Sequence, residues 1–129
     1  MANAKTIKYP KVPTKVKIGA QDWTIIERLP NDDGMLNDDS YGYTLERSNL
    51  IVIDAGLPAT RKRQVLLHEI LHAIYSSETR SNIKPDMDDS KSDEFINIWE
   101  HWFISIYENK MLALLRENPA VLNYLLSSE

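Results

Sequence analysis

The sequence predicts an α+β fold in which a small N-terminal antiparallel β-sheet packs on a helical half. Two observations carry this prediction. In the first part of the chain apolar residues alternate with polar ones, as in half-buried strands, whereas after residue 58 they recur at helical spacing. Strands followed by helices are the pattern of an α+β domain. A length of 129 residues fits one core, so we expect a single domain.

The first strands are predicted to form a hairpin. Residues 1–13 carry two prolines among lysines and are expected to be an extended leader, ahead of the domain at 14–129. Val16 and Ile18 then alternate with lysines, and the apolar residues of WTIIERL recur after the turn-forming GAQD. This pattern indicates two strands joined by a turn.

An acidic stretch separates the hairpin from two further strands. PNDDGMLNDDS, residues 30–40, lacks the spacing and terminal glutamate of a calcium loop, so a solvated loop is favoured over a calcium site. YGYTLE, residues 41–46, is a candidate third strand. NLIVID, residues 49–54, is a β-branched apolar run that predicts a buried strand. If that strand lies at a sheet edge beside the functional site, it would pair with an extended peptide.

Three helices are predicted in the second half. The first opens within AGLPAT and keeps an apolar pattern to Ile74, and a polar loop over residues 76–90 follows it. The second helix is longer and amphipathic, and it covers SDEFINIWEHWFISIYENKMLALL. Asn118 and Pro119 begin a short terminal helix, PAVLNYLL.

Composition argues against several classes of function. Lys and Arg total 15 against 19 Asp and Glu, spread along the chain, so no basic groove for nucleic acid is indicated. There is no cysteine, which leaves nitrogen and oxygen atoms as metal ligands. No run reaches the roughly 18 apolar residues of a membrane span, and the N-terminus lacks a signal-peptide core. We expect a cytoplasmic protein with no membrane partner.

His68 and His72 lie four positions apart in the stretch LLHEILHAIY. On a helix this spacing puts both imidazoles on one side, with Glu69 rotated by about a quarter turn. HExxH supplies zinc with two ligands and a general base in this way. The alternative is that the histidines are structural, but the apolar arc of the helix lies roughly opposite them, so a metal site is favoured.

A catalytic zinc site usually has three protein ligands and a fourth place for water. Glu94 heads a narrow polar stripe on the second helix, and we predict that it is the third ligand, with Asp93 as the fallback. Asn97 and His101 follow one and two turns later. Asn97 would hydrogen-bond a ligand, and His101 would steady an oxyanion or, less favoured, bind the metal.

Two segments, IVIDAGLPATRKRQVLLHEILHAIY and DEFINIWEHWFISIYENKMLALLRENP, resemble small metallopeptidase-like proteins of phages and prophages, relatives of the ImmA/IrrE and SprT-like zinc peptidases. In that family a helix with LLHEhLHA, where h is apolar, precedes a helix beginning EEF that supplies the third ligand. The resemblance implies that His68, His72 and Glu94 bind zinc and that Glu69 is the base. This chain departs from it at Asp93, where the family often has Glu.

The resemblance implies a zinc-dependent metallopeptidase. Zinc lowers the pKa of a bound water from 15.7 to about 7, and Glu69 would accept its proton and pass it to the leaving amine. Tyr75, His101 or a tyrosine at 41–43 is a candidate to stabilise the oxyanion. The expected partners are a peptide or protein substrate and a phage or host protein, in the host cytoplasm if the gene is a phage's.

Two alternatives remain open. The first is a non-catalytic regulatory or assembly protein of phage origin, in which zinc pins the two helices together, because fold and motif alone do not prove turnover. The second is a DNA-associated protease, for which the sequence offers no basic patch.

Overall fold

Four strands followed by three α-helices make up the described part of the chain, which confirms the α+β prediction. The computed structural model describes residues 10–79 and 92–127, and at 78–79, 92–97 and 108–109 it describes the backbone alone. The elements are β1 (Lys15–Ile18), β2 (Gln21–Arg28), β3 (Gly42–Leu45), a short 3-10 helix (Glu46–Ser48), β4 (Leu50–Asp54), α1 (Ala59–Thr79), α2 (Ser92–Glu117) and α3 (Pro119–Leu126). Residues 1–9 of the predicted leader and most of the predicted 76–90 loop lie outside the described residues.

The strands form one mixed sheet in the order β1-β2-β4-β3. β1 and β2 are the predicted antiparallel hairpin, and its turn contains Gly19 with φ 61, which glycine adopts at little cost. β2 pairs with β4 in parallel, and β3 pairs with β4 antiparallel. The sheet is therefore not wholly antiparallel, because the chain passes through the edge strand β3 before it returns to pair with β2.

The strand β4 lies between β2 and β3, so the hypothesis that NLIVID forms an open edge is wrong. Ile51, Val52 and Ile53 are each 0% exposed, so β4 is covered on both faces. A continuous apolar run of this kind indicates that a strand is buried, but it does not indicate the position of that strand in the sheet. The two edge strands are β1 and β3, and β3 is the one that packs beside α1.

The core lies between one face of the sheet and the three helices. α1 contributes Leu66, Ile70, Ala73 and Ile74, all 0% exposed. They pack in one cluster with Val65 of the same helix and with residues of the sheet and of the last two helices: Val16, Ile18, Trp23, Ile25, Ile51, Ile53, Ile106, Leu114, Val121 and Tyr124. Burying this apolar surface is the main source of the fold's stability.

Two aromatic contacts hold α2 against α1. The hydroxyl of Tyr107 donates a hydrogen bond to the carbonyl oxygen of Leu71 at 3.2 Å, and the rings of Tyr75 and Trp102 meet edge to face with centroids 5.9 Å apart. Burial raises the pKa of Tyr107, with a smaller contribution from Tyr75. Because the contacts occur in opposite order along the two helices, α1 and α2 are antiparallel.

Asn118 joins the end of α2 to the first strand. Its side-chain oxygen accepts a hydrogen bond from the backbone nitrogen of Lys17 at 2.7 Å, and its amide nitrogen donates to the carbonyl of Lys17 and to that of Leu114, each at 2.9 Å. Asn118 is buried, so these bonds replace water around polar groups that would otherwise be unsatisfied. The residue thus both ends α2 and fastens it to β1.

Within residues 10–79 and 92–127, none of the helices has the length and apolar character needed to cross a membrane.

Candidate metal centre

His68 and His72 leave the same side of α1, as their spacing predicted. Both are exposed, and the His68 side chain retains 67% of its accessible surface. Their Nε2 atoms are 3.1 Å apart, and their rings meet edge to face with centroids 4.7 Å apart. The two imidazoles therefore present their outer nitrogens to one point at the surface.

The separation of the two Nε2 atoms fits a shared metal ion. Two nitrogens at the usual zinc distance of about 2.0–2.1 Å, in tetrahedral geometry, lie roughly 3.3 Å from each other. A separation of 3.1 Å also suits a hydrogen bond between imidazoles of opposite tautomer. Ligand atoms of His68, Glu69 and His72 lie within 4.8 Å of one another, the one such group that the described part of the chain contains.

Glu69 differs from its histidine neighbours because it is buried, at 5% exposure. Its Oε1 accepts a hydrogen bond from the Thr44 hydroxyl at 2.9 Å, and its Oε2 lies 3.9 Å from the Nε2 atom of His68. Burial of a carboxylate is costly without a hydrogen-bond donor, and Thr44 supplies one. The carboxylate thus lies beneath the two imidazoles, between α1 and the sheet.

Gly42 allows β3 to approach α1 at this point. A Cβ atom at position 42 would lie 2.8 Å from Val65 Cγ1, 2.9 Å from the backbone oxygen of Val52 and 3.3 Å from Glu69 Cγ. The first two distances are shorter than van der Waals contact permits. Glycine at this position is therefore required for the edge strand to pack close to Glu69.

A cleft of about 600 Å³ opens between β3 and α1 and contains the histidine pair. One wall is the strand and the residues before it, and the other is the exposed side of the helix. The lining residues are Asp39, Ser40, Tyr41, Gly42, Tyr43, Thr44, Arg61, Gln64, Val65, His68, Glu69, His72 and Ser76. The metal-binding group therefore lies in a concave site with an open side.

The acidic loop before β3 supports one wall of the cleft. The hydroxyl of Tyr43 donates a short hydrogen bond to Asp33, whose other oxygen accepts from the backbone nitrogen of Met35 at 3.0 Å. These bonds lower the pKa of Asp33, the Tyr43 bond most. Burial, and then the bond to Asp33, raise the pKa of Tyr43. The Asp33 carboxylate thus accepts hydrogen bonds from the loop and from the neighbouring strand, consistent with the predicted solvated loop.

The remaining predicted site residues lie on α2 or at the end of α1. Glu94, Asp93 and Asn97 occupy the first turns of α2, where their side chains lie outside the described residues, so the third ligand stays a prediction. His101 is exposed on α2, and Tyr75 packs on Trp102. Neither of them lines the cleft. Their proposed oxyanion roles also stay predictions.

Sequence reasoning missed several residues of the cleft, among them Thr44, Arg61 and Gln64. The Arg61 guanidinium carbon lies 5.8 Å from the centre of the Tyr41 ring, and both residues line the cleft. Arg61 and Gln64 precede His68 at helical spacing, and this could have placed them on the same side of α1. Thr44 had no such signal, because its contact with Glu69 depends on how the strand pairs.

Comparison with known proteins identifies one matching family. A family model described as the IrrE N-terminal-like domain, Peptidase_M78, matches residues 23–115, which is more than half of the chain. No curated protein and no solved structure matches the chain. The match spans β2 to the last turn of α2 and includes the histidine pair and both walls of the cleft. The chain therefore belongs to the Peptidase_M78 family of IrrE N-terminal-like domains.

Proposed function

We propose that the protein is a zinc-dependent metallopeptidase. The observation that carries this proposal is the pair of exposed imidazole nitrogens, 3.1 Å apart, above a buried carboxylate in an open cleft. His68 and His72 would hold the ion with Glu94 as the third ligand. A zinc ion bound there supplies polarisation of a peptide carbonyl and activation of water for attack. Membership of the family supports the metallopeptidase relationship.

Glu69 is suited to act as the general base. It lies beside His68 on α1, and its Oε2 is directed toward the histidine side, 3.9 Å from the His68 Nε2 atom. From this position it would accept a proton from the attacking water and pass it to the leaving amine as the peptide bond breaks. The two proton transfers use one carboxyl group, so no second acid is required.

The substrate would add to the open edge of β3. The backbone nitrogen of Asp54 donates to the carbonyl oxygen of Tyr41 at 2.9 Å. In an antiparallel pair hydrogen-bonded positions alternate, so the N–H and C=O groups of Gly42 and Thr44 are directed away from β4. An extended peptide pairing with them would run along the cleft beside the histidines. This edge replaces β4 as the proposed docking strand.

Metal content and hydrolysis test the proposal when they are measured on the same preparations. We expect Glu69→Gln to keep zinc and to lose hydrolysis of quenched fluorescent peptides by at least about 100-fold. We expect His68→Ala to lose the zinc itself. Glu100→Gln, which changes an exposed carboxylate on α2, is the matched control and should behave as wild type.

Native-rate cleavage by Glu69→Gln would show that the base is assigned wrongly. Zinc retention with no cleavage of any peptide by the wild type would instead favour a non-catalytic regulatory or assembly protein.

A further inference from the structure

The two oxygens of the Glu69 carboxylate have different surroundings. Oε1 is 2.9 Å from the hydroxyl of Thr44, on the strand side of the helix. Oε2 is on the histidine side, 3.9 Å from the Nε2 atom of His68. A glutamate side chain has three rotatable bonds, so nothing in its covalent structure selects this arrangement. The selection comes from the neighbouring strand.

Among the described residues, the Thr44 hydroxyl donates only to oxygen atoms of Glu69. The Thr44 Oγ1 atom is 2.9 Å from Glu69 Oε1 and 3.2 Å from the Glu69 backbone oxygen, and the carboxylate oxygen is the nearer acceptor. Thr44 is β-branched, so its χ1 angle is stiff, and its backbone is fixed by pairing opposite Ile51 in the buried strand β4. The donor is therefore held in place by the sheet, independently of α1.

The glycine two positions earlier reinforces this arrangement. Gly42 and Thr44 lie on the same face of β3, and the absence of a side chain at Gly42 lets the strand come near the Glu69 side chain. The Glu69 carboxylate is consequently enclosed by the strand on one side and open toward the histidines on the other.

We propose that Thr44 is the positioning residue of the general base. It holds Oε1 by a hydrogen bond and leaves Oε2 as the oxygen that accepts the proton from the attacking water. The inference rests on the proposed function, since it assigns a task to Glu69, but the contact that it invokes can be tested without turnover.

Steady-state kinetics of two substitutions test the catalytic part. Thr44→Val keeps the shape and removes the hydroxyl, and Thr44→Ser keeps the hydroxyl. With the zinc-loaded full chain and a quenched fluorescent peptide that the wild type cleaves, we expect Thr44→Val to lower kcat about tenfold, with KM and zinc content within about twofold. Thr44→Ser should recover most of kcat. Thr24→Val, an exposed position on β2, is the matched control.

Three results would overturn the proposal: an unchanged kcat in Thr44→Val, an equal loss in Thr44→Val and Thr44→Ser, or a loss confined to KM. Equal losses would mean that packing of the methyl group matters and the hydroxyl does not.

A double-substitution cycle separates this inference from the proposed function. Urea unfolding of wild type, Thr44→Val, Glu69→Met and the double variant is measured with and without zinc, since methionine has a similar length and no oxygen to accept the bond. We expect the change in the unfolding equilibrium constant of the double variant to differ from the product of the two single changes by roughly 3- to 10-fold. Removal of either partner already breaks the bond, so the second removal costs less. If the wild type cleaves no peptide, the hydrolase proposal fails. The cycle alone then tests whether the Thr44 hydroxyl holds the Glu69 carboxylate. A departure below about twofold would then overturn the role of Thr44.

Discussion

Two regions of the molecule use a polar side chain to join a strand to a helix, and they do so with opposite results. At the first, the Thr44 hydroxyl on β3 bonds the Glu69 carboxylate on α1 beside an open cleft. At the second, the Asn118 amide at the end of α2 bonds both backbone groups of Lys17 on β1. The first region brings a charged group under exposed histidines. The second satisfies neutral groups in a closed contact.

The difference between these regions separates stability from function. The bonds of Asn118 are made between neutral groups that burial has already removed from water, so their loss should mainly lower the free energy of unfolding. The bond of Thr44 reaches a group whose other side faces the metal-binding histidines, so its loss should mainly change chemistry. Substitutions in the two regions should therefore affect different measurements, and four of them break or sharpen this comparison.

The largest effect is expected on metal binding at the open region. If Glu94 is the third ligand, Glu94→Gln should raise the zinc dissociation constant by at least about 100-fold, more than the loss of an outer-shell partner causes. Competition with a chromophoric chelator measures this constant. Asp93→Asn tests the fallback, and Glu100→Gln is the exposed control on the same helix. A large loss in Asp93→Asn with none in Glu94→Gln would exchange their roles.

Asn118→Ala should lower the free energy of unfolding by about 2–3 kcal/mol, because the Lys17 backbone groups and the Leu114 carbonyl lose their partner. Urea unfolding gives this value, and zinc affinity should stay within about twofold. Asn123→Ala, at an exposed position of α3, should have almost no effect. An equal fall in zinc affinity would contradict the separation of the two regions.

Gly42→Ala should destabilise the fold by about 1–2 kcal/mol and also reduce hydrolysis, because the added methyl group collides with Val65 and with the backbone of Val52 beside Glu69. Thermal or urea unfolding and peptide cleavage measure the two effects. Gly34→Ala is the control, since a Cβ atom there meets nothing within 4 Å. Unchanged hydrolysis in Gly42→Ala would show that the close approach of β3 is not needed for the site.

The smallest effect is expected where Tyr43 of β3 bonds the acidic loop, and it depends on pH. Tyr43→Phe removes the bond that lowers the pKa of Asp33 below its ordinary value of 3.8. A lowered pKa in the folded state contributes stability above the unfolded-state value, and this contribution is lost as the pH falls through the folded-state value. Wild type should thus exceed Tyr43→Phe in stability at neutral pH, and the difference should shrink in acid below pH 3.8.

Urea unfolding over this pH range measures the difference, and Tyr41→Phe, at a more exposed tyrosine, is the control. A difference that stays constant into acid would assign it to packing of the ring and not to the hydrogen bond.

Local patterns predicted much of the fold. Three patterns each indicated a buried element: the alternation at Val16 and Ile18, the apolar run of β4, and the helical spacing before Ile74. The structure has the corresponding strands and helix. The buried face of α1 is narrower than predicted, since Leu67 is 38% exposed. On the amphipathic helix α2, the apolar side chain of Phe103 is 55% exposed. Hydrophobicity alone does not say which neighbour will cover a residue.

The candidate site was predictable where one helix determines it. The spacing of His68 and His72 places both on one side of α1 whatever the rest of the chain does. The burial of Glu69 and its bond to Thr44 depend on an edge strand 25 residues earlier in the chain. The choice of β3 over β4 as the edge likewise follows from pairing between distant segments. Such contacts leave no periodic pattern in the sequence.

The bond between Asn118 and Lys17 also bears on how the chain reaches its final form. It connects positions 101 residues apart, nearly the full span of the described chain. Contacts between such distant segments form slowly, because a long loop must close before they stabilise anything. A chain synthesised from its N-terminus will contain β1 long before the asparagine that fastens it is made. Completion of this fold therefore waits until Asn118 has been synthesised.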